Sequence, residues 1–184
     1  MFKLIKNNNS LQFILSCLFA CLIWLSAKIE FVVIGSPVPQ SAQTLIVVLA
    51  GSILKRPWGV FAVFLYLLFG LVGLPVFSDS GSGISHLLNK TGGYLLGFLF
   101  ASIYLQSIKP TSMPIKMLIN FLIAHIIILS LGFLWLARFI NYTNAWNFGV
   151  KPFLIGALLK SVIALIIVVL ITTKKKSEKT FNRK

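Results

Sequence analysis

The sequence predicts an all-α integral membrane protein: six transmembrane helices in one bundle, with a ligand pocket at the extracellular side. Three observations carry this. Hydrophobic residues make up 58% of the 184, against ~45–50% in an ordinary soluble domain. Several apolar runs approach the ~20 residues that cross a bilayer. The Lys and Arg residues gather at the edges of those runs, where such residues set orientation.

The first span is expected over residues 11–27, after a basic start at Lys3 and Lys6. It is long for a signal-peptide core and no A-x-A site follows it, so a retained helix is expected. In "GSPVP", Pro37 and Pro39 fix φ and remove donors, which keeps that stretch extended. A short second span covers 44–54, and Arg56–Pro57 separates it from a third over 59–74 with almost no loop. The fourth covers 92–108 and the fifth 114–136, with Pro110 and Pro114 bracketing the turn between them. Pro152 opens the sixth, 152–172, in the first helical turn where proline is accepted. Residues 1–10 and 173–184 are then a cytoplasmic N-terminus and a basic cytoplasmic tail.

A net charge of +14 first suggests nucleic acid, but no RNA- or DNA-binding motif accompanies it. With six spans, twelve of the seventeen Lys and Arg fall on the side of the two termini, four on the other, and Lys160 inside the sixth span. That asymmetry makes both termini cytoplasmic; a bacterial-type inner membrane is the expected location. The other side carries the three long loops, 28–43, 75–91 and 137–151, which can form a mouth over the bundle. Non-helical backbone at membrane depth survives where it is buried in protein or lines a cavity.

Lys160 is the sharpest single residue, about 13 Å along its span at 1.5 Å per residue. An ionisable group at that depth faces an interior or a polar site, and no acid in the span could pair with it. His125, with Asn120 five residues before it, reads as a neutral imidazole bonded across helices rather than a metal ligand or proton relay. His86 reads as a residue of the mouth. Asp79, Ser80, Ser82, Ser85 and His86 crowd one loop, yet nothing resembles a nucleophile elbow or a catalytic triad, so no enzyme is expected. The absent G-x-x-x-x-G-K-[ST] excludes a P-loop ATP site. Cys17 and Cys21, at i and i+4, suit helix packing better than a disulfide. No cofactor or metal site is expected.

Ser16 and Ala20 form a small-xxx-small pair that suits either internal packing or partner docking. Trp135 and Trp146 fit an interfacial belt, while Phe77 and Tyr94 could line an apolar pocket with a polar tip.

Several stretches resemble a known family. "GSPVPQSAQTLIVVLAGSIL", "WGVFAVFLYLLFGLVGLPVF" and "TGGYLLGF", in that order and spacing, are similar to the BioY family, the biotin-specific substrate-binding (S) components of energy-coupling-factor (ECF) transporters. "GFLWLA" and "GVKPFLIGALLK" extend the resemblance over roughly residues 11–172. It implies six helices, biotin taken at the extracellular side, and work with a transmembrane coupling subunit and two ATPase subunits. Operation without that module stays open.

The resemblance marks Gln43 and Thr44 in loop one, Phe77, Gly81 and Gly83 in loop three, Thr91, Gly92, Gly93 and Tyr94 in "TGGY", and Lys160 in helix six as ligand-binding. The sequence departs from the family at the aspartate of a D-x-x-K motif, where it has Ala157, and at "LPG", which reads "LIG" with Ile155. Asp79 could reach into the pocket opposite Lys160 and replace that acid; a solvated loop acid is the alternative. Capture of another small vitamin by the same architecture, and a non-transport membrane scaffold, stand as the other functions.

Overall fold

The computed structural model describes residues 8–31 and 38–181; Lys3, Lys6, Pro37, Arg183 and Lys184 lie outside them. Helix α1 (Asn9–Ala27) starts where the Asn8 side chain accepts from the Ser10 N–H at 3.0 Å, a standard N-cap. A short antiparallel pair follows, β1 (Glu30–Phe31) with β2 (Gln40–Ser41), in the register Glu30 to Ser41. Then come α2 (Gln43–Ile53) and α3 (Trp58–Leu71). A 3₁₀ turn (Ser78–Ser80) and α4 (Gly83–Leu87) lead to α5 (Gly92–Ser107). The chain ends with α6 (Pro114–Ile140), α7 (Tyr142–Gly149) and α8 (Phe153–Phe181).

Each of the six apolar segments read from the sequence forms a helix: α1, α2, α3, α5, α6 and α8. The ends differ for local reasons. Helix α3 stops at Leu71 because Gly73 takes φ +99°. The Gly73 N–H then bonds the Gly70 carbonyl at 3.2 Å and the Leu74 N–H the Phe69 carbonyl at 3.1 Å, the paired bonds of a Schellman cap. Helix α6 runs on to Ile140, where Asn141 at φ +67° breaks it and caps α7 through the Asn144 N–H. Helix α8 continues through residues 173–181, which contain neither Gly nor Pro.

Among the described residues, three stretches are long and apolar enough to cross a membrane: Asn9–Ala27, Pro114–Ile140 and Phe153–Lys174. Helices α2 and α3 are apolar but shorter. Large side chains on α1 and α8, among them Ile14, Leu18, Ile155 and Leu170, point outward, apolar surface of the kind a bilayer covers.

Helix α5 sits at the centre, against α2, α3 and α6. It comes close to α6 because Gly93 and Gly97 face it. A Cβ on Gly93 would lie 2.2 Å from Trp135 Cβ, and one on Gly97 would lie 2.8 Å from Ile128 Cα.

Ser16 and Ala20 pack inside the chain. Both are buried, and Ser16 Oγ lies 2.9 Å from the Gln12 carbonyl and 3.0 Å from the Trp58 carbonyl. The small pair lets α1 close on α3 within the chain. Cys17 and Cys21 are both free.

Candidate functional site

The three long loops carry the pieces that cover one end of the bundle: the β1–β2 pair, the turn with α4, and α7. Under the first two of these lies a cavity of about 50 Å³. Its polar lining comes from Ser41, Gln43, Thr44, His86, Tyr94 and Lys160, and its apolar lining from Leu95, Phe98, Ile128 and Phe153. Five residues expected from the sequence therefore meet here: Gln43, Thr44, Thr91, Tyr94 and Lys160.

Each is held in place. Gln43 is 2% exposed, and its Nε2 donates to the Tyr66 hydroxyl at 2.6 Å. Its Oε1 accepts from the Ser41 hydroxyl at 2.9 Å. The Tyr94 hydroxyl donates to the Gly149 carbonyl at 2.8 Å, and its ring stacks on Phe153 at 6.1 Å. Lys160 Nζ donates to the Ser41 carbonyl at 2.6 Å. The Thr44 hydroxyl is different: it lines the cavity, is buried and has no partner. A buried hydroxyl left unbonded is costly, so Thr44 offers a bond to whatever enters.

Loop three meets the cavity through Ser78, His86 and Thr91. His86 Nε2 lies 3.4 Å from Thr91 Oγ1, and its ring stacks on Phe77 at 5.2 Å. Burial pushes the His86 imidazole below its usual range, and the nearby Asp79 charge opposes that only in part.

Five other residues marked by the resemblance stand off the lining of this cavity. Phe77 is 2% exposed but stands behind His86, not on the cavity wall. Gly81 makes room for the His86 ring, because a Cβ there would lie 2.0 Å from Nδ1. Gly83 turns the chain into α4 with φ +78°. Gly92 and Gly93 are packing residues, one against the Leu87 carbonyl and the other against Trp135.

Asp79 does not stand opposite Lys160. It is exposed, its backbone is left-handed at φ +53°, and its N–H donates to Glu30 Oε1 at 3.3 Å. It belongs to a separate surface cavity with Trp24, Lys28 and Glu30. No carboxylate replaces the acid missing at Ala157 among the residues that line the Lys160 cavity.

His125 behaves as expected, as a bridging imidazole. Its Nδ1 lies 2.9 Å from the Phe121 carbonyl and 3.0 Å from Ser161 Oγ on α8. Sequence reasoning missed Ser41, Ser78, Tyr66 and Phe153. The one available signal was Tyr66, a phenol in the middle of an apolar run, which needs a buried partner.

The family model described as "BioY family" matches residues 3–177. A probable biotin transporter BioY of Pyrococcus horikoshii is 35% identical over 153 residues, 83% of this chain and 91% of that protein. The biotin transporter BioY2 of Lactococcus lactis subsp. cremoris is 38% identical over 135 residues, 70% of this chain and 73% of that protein. The crystal structure of the S-component for biotin from an ECF-type ABC transporter has the same fold. Its TM-score is 0.81 at 23% identity, over 92% of this chain and 95% of the other.

Proposed function

The chain belongs to the BioY family, and from that premise we propose that it binds biotin and mediates its uptake across the membrane as the S component of an ECF-type transporter. The observation that carries the proposal is the cavity beneath loops one and three, with an unpartnered Thr44 hydroxyl and the Lys160 ammonium among apolar walls. Biotin matches that chemistry. Its ureido group both donates and accepts, its ring sulfur side is apolar, and its valerate is anionic. Gln43 and Thr44 can each donate or accept. Lys160 donates to a ligand oxygen, either ureido carbonyl or carboxylate. Phe98, Tyr94 and Phe153 supply the apolar surface.

The site works by holding, not by reaction. Its ~50 Å³ of free space is far below the ~300 Å³ at which ligand pockets begin, so the loops must part for entry. Six membrane crossings, an extracellular cavity and cytoplasmic termini complete the proposal, supported by the Lys and Arg distribution. A transmembrane coupling subunit and two ATPases would supply the energy, because the sequence contains no P-loop motif.

Ala157 favours one rival, the same architecture serving another small vitamin. Gentle purification followed by mass spectrometry of the bound small molecule separates the two, backed by radiolabelled biotin uptake with competing vitamins. Co-purified biotin and uptake blocked only by biotin are expected. A different bound vitamin, or uptake indifferent to excess biotin, would overturn the proposal.

A further inference from the structure

Helix α2 begins at the Lys160 cavity with Gln43 and ends at a second cavity, of about 260 Å³, at the opposite end of the bundle. This one lies between the α2–α3 connection, the end of α5 and the start of α6. Three layers line it. Arg56 and Lys109 stand exposed at the rim, beside Lys55. Leu105, Met117 and Phe121 form apolar walls and are nearly fully buried.

Gln106 lies deeper at 6% exposure. Its Nε2 donates to the Leu54 carbonyl at 3.1 Å, and its Oε1 is buried with no partner. Asn120 Oδ1 accepts from the Tyr104 hydroxyl, which leaves its amide N–H groups for other acceptors. No acid is among the lining residues.

We propose that this cavity seats the headgroup of an anionic phospholipid. Arg56 and Lys109 take the phosphate, the Asn120 amide donates to the headgroup, and the first acyl carbons run along Leu105, Met117 and Phe121. A basic belt at a membrane edge accounts for cations alone. It does not account for a cavity beneath them floored by a buried amide whose open oxygen can accept only from a donor such as a headgroup hydroxyl. A soluble phosphate would satisfy the cations and waste the apolar walls. A zwitterionic headgroup would leave the rim charge uncompensated. Basic pockets between membrane helices are suited to anionic headgroups.

The test is native mass spectrometry of the purified full chain in detergent, with phosphatidylglycerol or phosphatidylcholine added, and separately with inorganic phosphate as competitor. Phosphatidylglycerol is expected to be retained roughly thirtyfold over phosphatidylcholine, from about 1 kcal/mol for each of the two basic residues near the surface. Arg56→Gln with Lys109→Gln should abolish that preference while the unfolding midpoint stays put, since both side chains are exposed. Thr111→Trp, which fills the cavity without changing charge, should also release the lipid. Equal retention of both lipids overturns the proposal, as does displacement by inorganic phosphate. Loss with the double variant but not with Thr111→Trp also overturns it, because it reveals a diffuse basic surface.

Discussion

The Lys160 ammonium donates to the Ser41 carbonyl at 2.6 Å, joining α8 to the loop that leads into α2. Lys160 therefore does two things at once. It places a positive charge on the cavity wall and it fastens loop one. A ligand oxygen that takes one of its three N–H groups leaves the others for Ser41, so binding and loop closure reinforce each other.

Lys160→Ala should weaken biotin binding about 10–100-fold, the range for a hydrogen bond to a charged group at about 1.5–3 kcal/mol. The dissociation rate should carry most of the change, because the loop is loosened as well. Isothermal titration with stopped-flow release measures both. Wild-type affinity would remove Lys160 from the site.

Tyr66→Phe removes the hydroxyl that receives Gln43 Nε2 at 2.6 Å and leaves that donor buried without a partner. A loss of about three- to tenfold in biotin affinity is expected, from about 0.5–1.5 kcal/mol for a neutral hydrogen bond. Gln43→Leu should cost more, since the Ser41 contact goes with it. Equilibrium binding on both variants orders them.

Asp79→Asn should leave affinity within about twofold of wild type, since surface substitutions away from special features change energies by only about 0.5 kcal/mol. Asn also tolerates the left-handed backbone at that position. A large loss would mean that Asp79 turns into the pocket when ligand is bound.

Gly93→Ala should destabilise the fold by about 1–3 kcal/mol, the usual cost of overpacking. The added carbon would lie 2.2 Å from Trp135 Cβ. Biotin affinity of the folded fraction should not change. Thermal unfolding with and without ligand separates these effects. Unchanged stability with lost binding would return Gly93 to the ligand site.

The His86 imidazole is held below its usual range by burial. A lowered pKa in the folded lid means the neutral ring stabilises closure above the ordinary histidine value of about 6.5. That stabilisation fades as pH falls through the lower folded-state value. Biotin release should therefore quicken below about pH 6.5 and lose that dependence in His86→Gln. Release rates between pH 7.5 and pH 5 give the answer, and a flat wild-type profile would exclude the ring from the lid.

Much of the fold could be read in advance. The six apolar runs mark six helices, and Pro114 and the Arg56–Pro57 break lie where helices start or stop. The end of α8 was less legible, because Lys, Glu and Ser are tolerated in a helix as well as in a tail. Within the site, Gln43, Thr44 and Thr91 were found through motif resemblance, whereas Lys160 stood out by its depth in an apolar span and Tyr94 as an aromatic with a polar tip. Ser41, Ser78 and Phe153 carried no signal of their own. Among the glycines, only position in space separates Gly81, which makes room for His86, from Gly93, which lets α6 approach.

By itself the sequence determined that this is a helical membrane protein, which end of it is basic, and which family it resembles. Hydropathy, charge position and motif order are written along one dimension. The tertiary structure decided that Asp79 faces away from Lys160, that Ser16 and Ala20 are spent inside the bundle, and that Lys160 holds Ser41. Those outcomes depend on burial and on partners far apart in the chain; Lys160 and Ser41 are 119 residues distant. Only folding brings such groups within hydrogen-bond reach.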